Sequence, residues 1–168
     1  MREAPFRVIA LDTQLDRTTF CSGAEPLDSY FHRQVTQDIR RRITACFVAL
    51  TPDQRVAGYY TLASASLLLA DLPAAIGKKL PRSPSVPAIR MERLAVDQHF
   101  KGQGLGGALL ADALDRAAAT EIAAFALMVD AKDETAASFY VHHGFIALPD
   151  SPLASFLPLD TIRSTPRN

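Results

Sequence analysis

The chain has 168 residues, 48% of them hydrophobic, and its 18 Lys and Arg balance 18 Asp and Glu to a formal net charge of +0. That length fits one domain, residues 1–168, with enough apolar content for a packed core. Balanced charge makes no global demand for nucleic acid or membrane. No apolar run reaches the length of a membrane span, and polar Met1-Arg2-Glu3-Ala4-Pro5 does not read as a signal peptide, so a cytoplasmic protein is expected.

Residues 6–10 alternate weakly and predict a first strand. After a polar stretch, Pro26 stands where a first helical residue would, and Leu27, Tyr30, Phe31, Val35 and Ile39 recur at helical spacing. They predict one helix ending at Arg40-Arg41-Arg42. Cations suit a helix C-terminus, so these arginines read as a solvated helix end or as part of a basic docking surface. Residues 44–50 predict a strand, Pro52-Asp53-Gln54 a turn, and 56–62 an antiparallel return. Leu67-Leu68-Leu69 has no clear period, and Pro73 opens a short predicted helix within 72–79. Residues 78–87 are proline-rich and carry Lys78, Lys79 and Arg82, which predicts an extended loop.

Residues 88–96 predict the central strand, followed by a glycine loop and a helix to about Ala119. The apolar run 123–129 reads as a strand covered on both faces. Asp133 is a plausible N-cap for a helix over 134–143, which Gly144 stops as the residue beyond the C-cap. Residues 145–148 and 155–159 predict a closing hairpin, and 161–168 a loose polar tail. Cys21 and Cys46 show neither metal spacing nor a disulfide framework, and no metal is expected.

The chemistry gathers at Lys101-Gly102-Gln103-Gly104-Leu105-Gly106-Gly107, between Leu94-Ala95-Val96-Asp97 and the helix. Glycines let backbone turn tightly and approach a ligand, and the free N–H groups of a helix start favour a phosphate. No Gly-Lys-Ser/Thr follows, which excludes a Walker-type loop. Gly102, Gly104 and Gly107 satisfy the loose dinucleotide pattern, with Asp130 at a ribose-contact distance in sequence. Against that reading, Asp97-Gln98-His99-Phe100 separate the loop from its strand, and too little chain follows for a two-half nucleotide fold.

The loop resembles the cofactor motif of the GNAT acyltransferases, Gln/Arg-x-x-Gly-x-Gly/Ala, with Lys101 in the Gln/Arg place. Residues 136–145, Ala-Ala-Ser-Phe-Tyr-Val-His-His-Gly-Phe, resemble that family's Ala-x-x-Phe-Tyr-x-x-x-Gly-Phe segment. The resemblance implies a mixed α/β fold: a central mixed β-sheet with a splayed middle strand, flanked by helices. It also implies acetyl transfer from acetyl-CoA to an amine. Pyrophosphate would then lie on the amides of Lys101, Gly102, Gln103, Gly104, Leu105, Gly106 and Gly107. Main-chain donors of Leu94, Ala95 and Val96 would face the thioester, where backbone donors aimed at developing charge contribute strongly. Tyr140 matches the tyrosine near the CoA sulfur, and a phenol with pKa near 10 stays protonated to supply the leaving thiolate. His142 and His143 read as exposed helix-end residues. Asp133 stands where many relatives carry Asn. Glu92 could accept the amine proton or pair with Arg90 or Arg93; an α-amine with pKa near 8 is already partly neutral and needs no base.

A narrower resemblance spans about 20–160. Phe20-Cys21-Ser22-Gly23, Leu27-Asp28-Ser29-Tyr30-Phe31, Lys78-Lys79-Leu80-Pro81-Arg82 and Val129-Asp130-Ala131-Lys132-Asp133 are similar to the acetyltransferase toxins of bacterial toxin–antitoxin pairs. It implies a homodimer, a ribbon-helix-helix antitoxin, and aminoacyl-tRNA as substrate. The alternative acceptor is a small metabolic amine or a peptide. Phosphate contacts drive RNA affinity, so a neutral chain needs its cations clustered. Arg40, Arg41, Arg42, Lys78, Lys79, Arg82, Arg90 and Arg93 are the candidates.

Overall fold

A computed structural model describes residues 6–162. In chain order the elements are β1 (Arg7–Ala10), α1 (Glu25–Arg33), α2 (Val35–Arg40), β2 (Ala45–Leu50), β3 (Val56–Leu68), α3 (Ala74–Gly77) and β4 (Ser85–Val96). They continue with α4 (Leu105–Ala119), β5 (Ala126–Asp130), α5 (Glu134–His142), β6 (Ile146–Leu148) and β7 (Ser151–Pro158). The strands are hydrogen-bonded in the order β1-β2-β3-β4-β5-β7-β6. β4 and β5 are parallel, and β1–β2, β2–β3, β5–β7 and β6–β7 are antiparallel, so the sheet is mixed and flanked by helices as expected.

The chain divides into two compact units. The first holds the described residues up to Ala63 together with Glu92–Ala113; the second holds Ser64–Met91 and the described residues from Leu114 on. In the first, Phe31 stacks on Tyr59 at 4.3 Å, and Phe20 meets both edge-on at 5.0 and 5.6 Å. Val35, Val48 and Leu50 pack in the same core. In the second, Leu67, Leu72, Val86, Ala88, Ala126, Met128, Leu148 and Phe156 pack together.

Several boundaries differ from the sequence reading. The single helix predicted from Pro26 to Arg42 is broken at Gln34. Arg17 Nε donates to the Phe31 carbonyl at 3.0 Å, taking the acceptor that a continuous helix would give to the Val35 N–H. β3 runs on to Leu68. Its first half is buried on both faces, so no period-2 alternation marks it. β4 starts at Ser85, inside the predicted loop, and includes Pro87. Proline has no N–H, but its carbonyl accepts from Phe125 at 2.8 Å. β5 is shorter at its start than the apolar run 123–129. The predicted strand at 56–62, the Asp133 cap, the Gly144 stop at φ 97° and the β6–β7 hairpin are present. Most of the predicted tail, 163–168, lies outside the described residues.

Candidate functional site

In the first unit, β4 delivers the chain to the glycine loop through a short 3-10 turn, Gln98–Phe100. Gly102 and Gly104 take φ of 79° and 78°, a left-handed conformation that disfavours side chains, and open space surrounds the position of an added Cβ at each. Ala108 N–H donates to Gly104 O at 3.1 Å as α4 begins. The amides of Leu105, Gly106 and Gly107 therefore have no acceptor within the helix. Open glycines followed by unpaired amides at a positive dipole end suit a diphosphate. Leu105 and Leu109 anchor this helix end, with 4% and 0% exposure. A Cβ at Gly58 on β3 would lie 2.8 Å from Leu109 Cδ1 and 2.9 Å from the Ala95 carbonyl, so only glycine allows this approach.

Ala95 is buried, while Leu94 and Val96 are half-buried. β5 pairs with β4 over Ala88–Met91. Residues 92–96 continue β4 within the first unit, where Asp97 N–H donates to Ala57 O at 2.8 Å. Asp97 is fully buried. Its Oδ2 accepts from Cys21 N–H at 3.0 Å, and its Oδ1 accepts from His99 N–H at 2.9 Å and lies 2.9 Å from His99 Nδ1. Burial alone would raise the Asp97 pKa, but the hydrogen bonds from Cys21 and His99 outweigh it and hold the carboxyl below its ordinary value. The sequence reading missed this carboxylate. The available signal was an Asp closing a strand two residues before a His, a pattern that makes an Asx turn.

Lys101, expected to serve the phosphates, donates through Nζ to Ser22 O at 2.7 Å. Glu92 accepts from Arg93 Nη1 at 3.1 Å, which settles its pairing partner. The Arg93 guanidinium also lies 3.4 Å from the centre of the Tyr30 ring, whose hydroxyl donates to Asp38. In the second unit, Arg90 pairs with Asp130 at 3.8 Å. Arg90 and Arg93, two of the cations proposed for RNA, are thus engaged within the protein, while Arg40, Arg41, Arg42, Lys78, Lys79 and Arg82 are exposed.

Tyr140 sits on α5 in the second unit, 8% exposed, with Phe145 at 5.6 Å and Phe139 at 5.3 Å. Its carbonyl accepts from the N–H groups of His143 and Phe145, which fixes the residue at the helix end. Burial pushes the phenol up to about 12. Asp133 Oδ1 caps α5 by accepting from Ala136 N–H at 2.8 Å. With Glu134, Ala137, Ser138, Pro152 and Leu153 it lines an open depression of about 670 Å³. His142 and His143 are exposed, as expected; Cys21 is exposed and Cys46 buried. Among the described residues, no group of three or more His, Cys, Asp or Glu could hold a metal ion, and no helix is long and apolar enough to cross a membrane.

The chain belongs to the GNAT acetyltransferases: the acetyltransferase (GNAT) domain family matches residues 21–155. It is an acetyl-CoA-dependent acetyltransferase closely related to toxins that acetylate tRNA. The tRNA-acetylating toxin of Mycobacterium tuberculosis is 38% identical over 163 residues, covering 96% of this chain and 95% of that one. The structure of AtaT complexed with acetyl-methionyl-tRNAfMet matches with a TM-score of 0.86 at 30% identity, covering 93% of this chain and 96% of that one. A tyrosine-to-phenylalanine form of AtaT, bound to the C-terminus of the antitoxin AtaR and to acetyl-CoA, matches with a TM-score of 0.78 at 25% identity over 94% and 96% of the two chains.

Proposed function

We propose that the whole chain, residues 1–168, is one cytoplasmic toxin domain that moves the acetyl group of acetyl-CoA onto the α-amine of an aminoacyl-tRNA. The observation that carries the acceptor is the 38% identity to a tRNA-acetylating toxin across 96% of the chain, well beyond the cofactor motif. A homodimer and a ribbon-helix-helix antitoxin belong to the same proposal, in keeping with the AtaT–AtaR complex.

In this reading the amides of 101–107 hold the pyrophosphate, and main-chain donors of Leu94, Ala95 and Val96 face the thioester carbonyl. Tyr140 donates its O–H to the sulfur as the acyl bond breaks. Glu92 is tied to Arg93, and an α-amine with pKa near 8 attacks in its neutral fraction without a dedicated base.

Gly104→Glu tests the donor half. It places bulk and negative charge at an open left-handed glycine, at a backbone cost of about 1–2 kcal/mol. Calorimetry is expected to show lost acetyl-CoA binding with an unchanged circular dichroism spectrum. Labelled acetyl transfer tests the acceptor half, with charged tRNA, deacylated tRNA and a panel of small amines side by side. Label is expected on charged tRNA and not on deacylated tRNA, since of the two only the charged form offers the α-amine, and not on the small amines. The zero formal charge favours one competing reading, a metabolic enzyme for small amines. Label on small amines alone, with cells tolerating full expression, would establish that reading instead.

A further inference from the structure

The stretch Cys21–Gly23 is fastened at both ends by buried carboxylates. At one end Asp97 takes the Cys21 N–H at 3.0 Å, while Gln98 N–H donates to Cys21 O at 2.9 Å and Lys101 Nζ to Ser22 O at 2.7 Å. At the other end Asp28, on α1 and 7% exposed, accepts from Ser22 N–H at 2.9 Å, Ser22 Oγ at 2.7 Å and Gly23 N–H at 3.3 Å. The Gln98 side chain lies over Gly23 so closely that a Cβ there would come within 2.7 Å of Nε2. Gly23 itself needs φ of 92°. Residues 97–101, the approach to the glycine loop, are thereby tied through a three-residue strap to the N-terminal turn of α1.

Glycine loops are intrinsically loose, because glycine loses more backbone freedom on ordering than other residues. Open space lies where a Cβ would stand at Gly102 and Gly104, so no neighbour packs against that face of either glycine. Order must be supplied from the loop's ends. α4 supplies one end through Leu105 and Leu109. We infer that the Asp97–strap–Asp28 clamp supplies the other, and that Asp97 and Asp28 are positioning residues for acetyl-CoA binding. Asp28 acts through the strap, and Asp97 acts both through the strap and directly by accepting the His99 N–H; together they preorganise the amides of 101–107 and set the direction of the Lys101 ammonium, without touching the acyl group. Preorganised binding groups raise affinity by removing an ordering cost that binding would otherwise meet. The inference rests on the proposed role of the 101–107 loop.

Its test uses the full chain with Asp97→Asn and Asp28→Asn. Among the described hydrogen bonds, the Asp28 carboxylate meets only Ser22 and Gly23 of the strap, so any effect on cofactor binding has to travel along it. Each variant weakens charge-assisted hydrogen bonds, and the acetyl-CoA dissociation constant and KM are expected to rise about tenfold. At saturating acetyl-CoA, kcat of Asp28→Asn should stay at the wild-type value, because that carboxylate bonds only to the strap. Hydrogen exchange should quicken at the amides of 101–107 and hold steady in β2. Lower melting temperatures with unmoved acetyl-CoA affinity in both variants would reduce the clamp to a purely structural feature and overturn the inference. Should Asp97→Asn fail to fold, Asp28→Asn and Ser22→Ala carry the same comparison. Gly104→Glu keeps the two readings apart. If it leaves acetyl-CoA binding intact, the loop assignment has failed; if it abolishes binding while the clamp variants bind normally, only the clamp has failed.

Discussion

Replacing Tyr140 with phenylalanine is expected to lower kcat by about 100- to 10,000-fold and to leave acetyl-CoA affinity nearly unchanged. The substitution removes one oxygen. The ring remains packed on Phe145, and the backbone bonds to His143 and Phe145 do not depend on the hydroxyl. Melting temperature should therefore move little, which separates a chemical effect from a folding one. An unchanged turnover in Tyr140→Phe would assign protonation of the thiolate to water or to another side chain.

The environment of Tyr140 refines what its hydroxyl does. Burial holds the phenol at about 12, whereas an ordinary thiol has a pKa near 8.5. The O–H hydrogen bond to sulfur strengthens as negative charge grows there, which stabilises the transition state more than the bound substrate, and the proton passes to the thiolate as the attacking amine gives up its own. The direction of the pKa shift also fixes the pH behaviour. Burial disfavours the phenolate, so the donor stays protonated beyond the ordinary tyrosine pKa of about 10. From neutral pH to about 10, kcat should not fall through loss of this donor. A decline within that range that disappears in Tyr140→Phe would contradict the assignment of the burial shift to the working state.

The parts legible in the sequence are those whose physics is local. A glycine loop before an apolar helix, an Asp cap three residues before the amide it receives, and a glycine stopping a helix at φ 97° each carry their own signature. The features that escaped depend on partners distant in the chain. Arg17 interrupts the first helix by reaching Phe31, and nothing between Leu27 and Ile39 signals it. β3 extends to Leu68 through residues that alternate between exposed and more buried positions, but Ala63, Ser64, Ala65 and Ser66 are too small to give that alternation a hydrophobic signature. Asp97 binds Cys21 across 76 positions, and Lys101 binds Ser22 across 79, so the strap that frames the loop has no local pattern. The cationic set was legible only as composition. Arg90 and Arg93 meet Asp130, Glu92 and Tyr30, and a count of charges cannot foresee that.

That engagement sharpens the expectation for the acceptor. Charge reversal at Arg90 or Arg93 would also disturb intramolecular ion pairs, so its effect on RNA could not be read separately. Arg40 and Arg41 in the first unit, and Lys78, Lys79 and Arg82 in the second, are exposed and suit the test. Their change to Glu, one group at a time and then together, is expected to abolish acetylation of charged tRNA and toxicity in cells. Acetyl-CoA binding should survive, since none of these residues lies in the 101–107 loop. Arg40 and Arg41 end α2, so their reversal also opposes the helix dipole, a cost of only about 0.3–1 kcal/mol; a melting curve will register it separately. Salt dependence gives the decisive reading. Removing one cation–phosphate pair should flatten the slope of log affinity against log salt by about 1, whereas a folding defect weakens binding without changing the slope in that proportion. A chain with zero formal charge binds RNA only through such local groups. If both groups are reversed and charged tRNA is still acetylated at the wild-type rate and with the wild-type salt slope, these cations are not the RNA-binding surface.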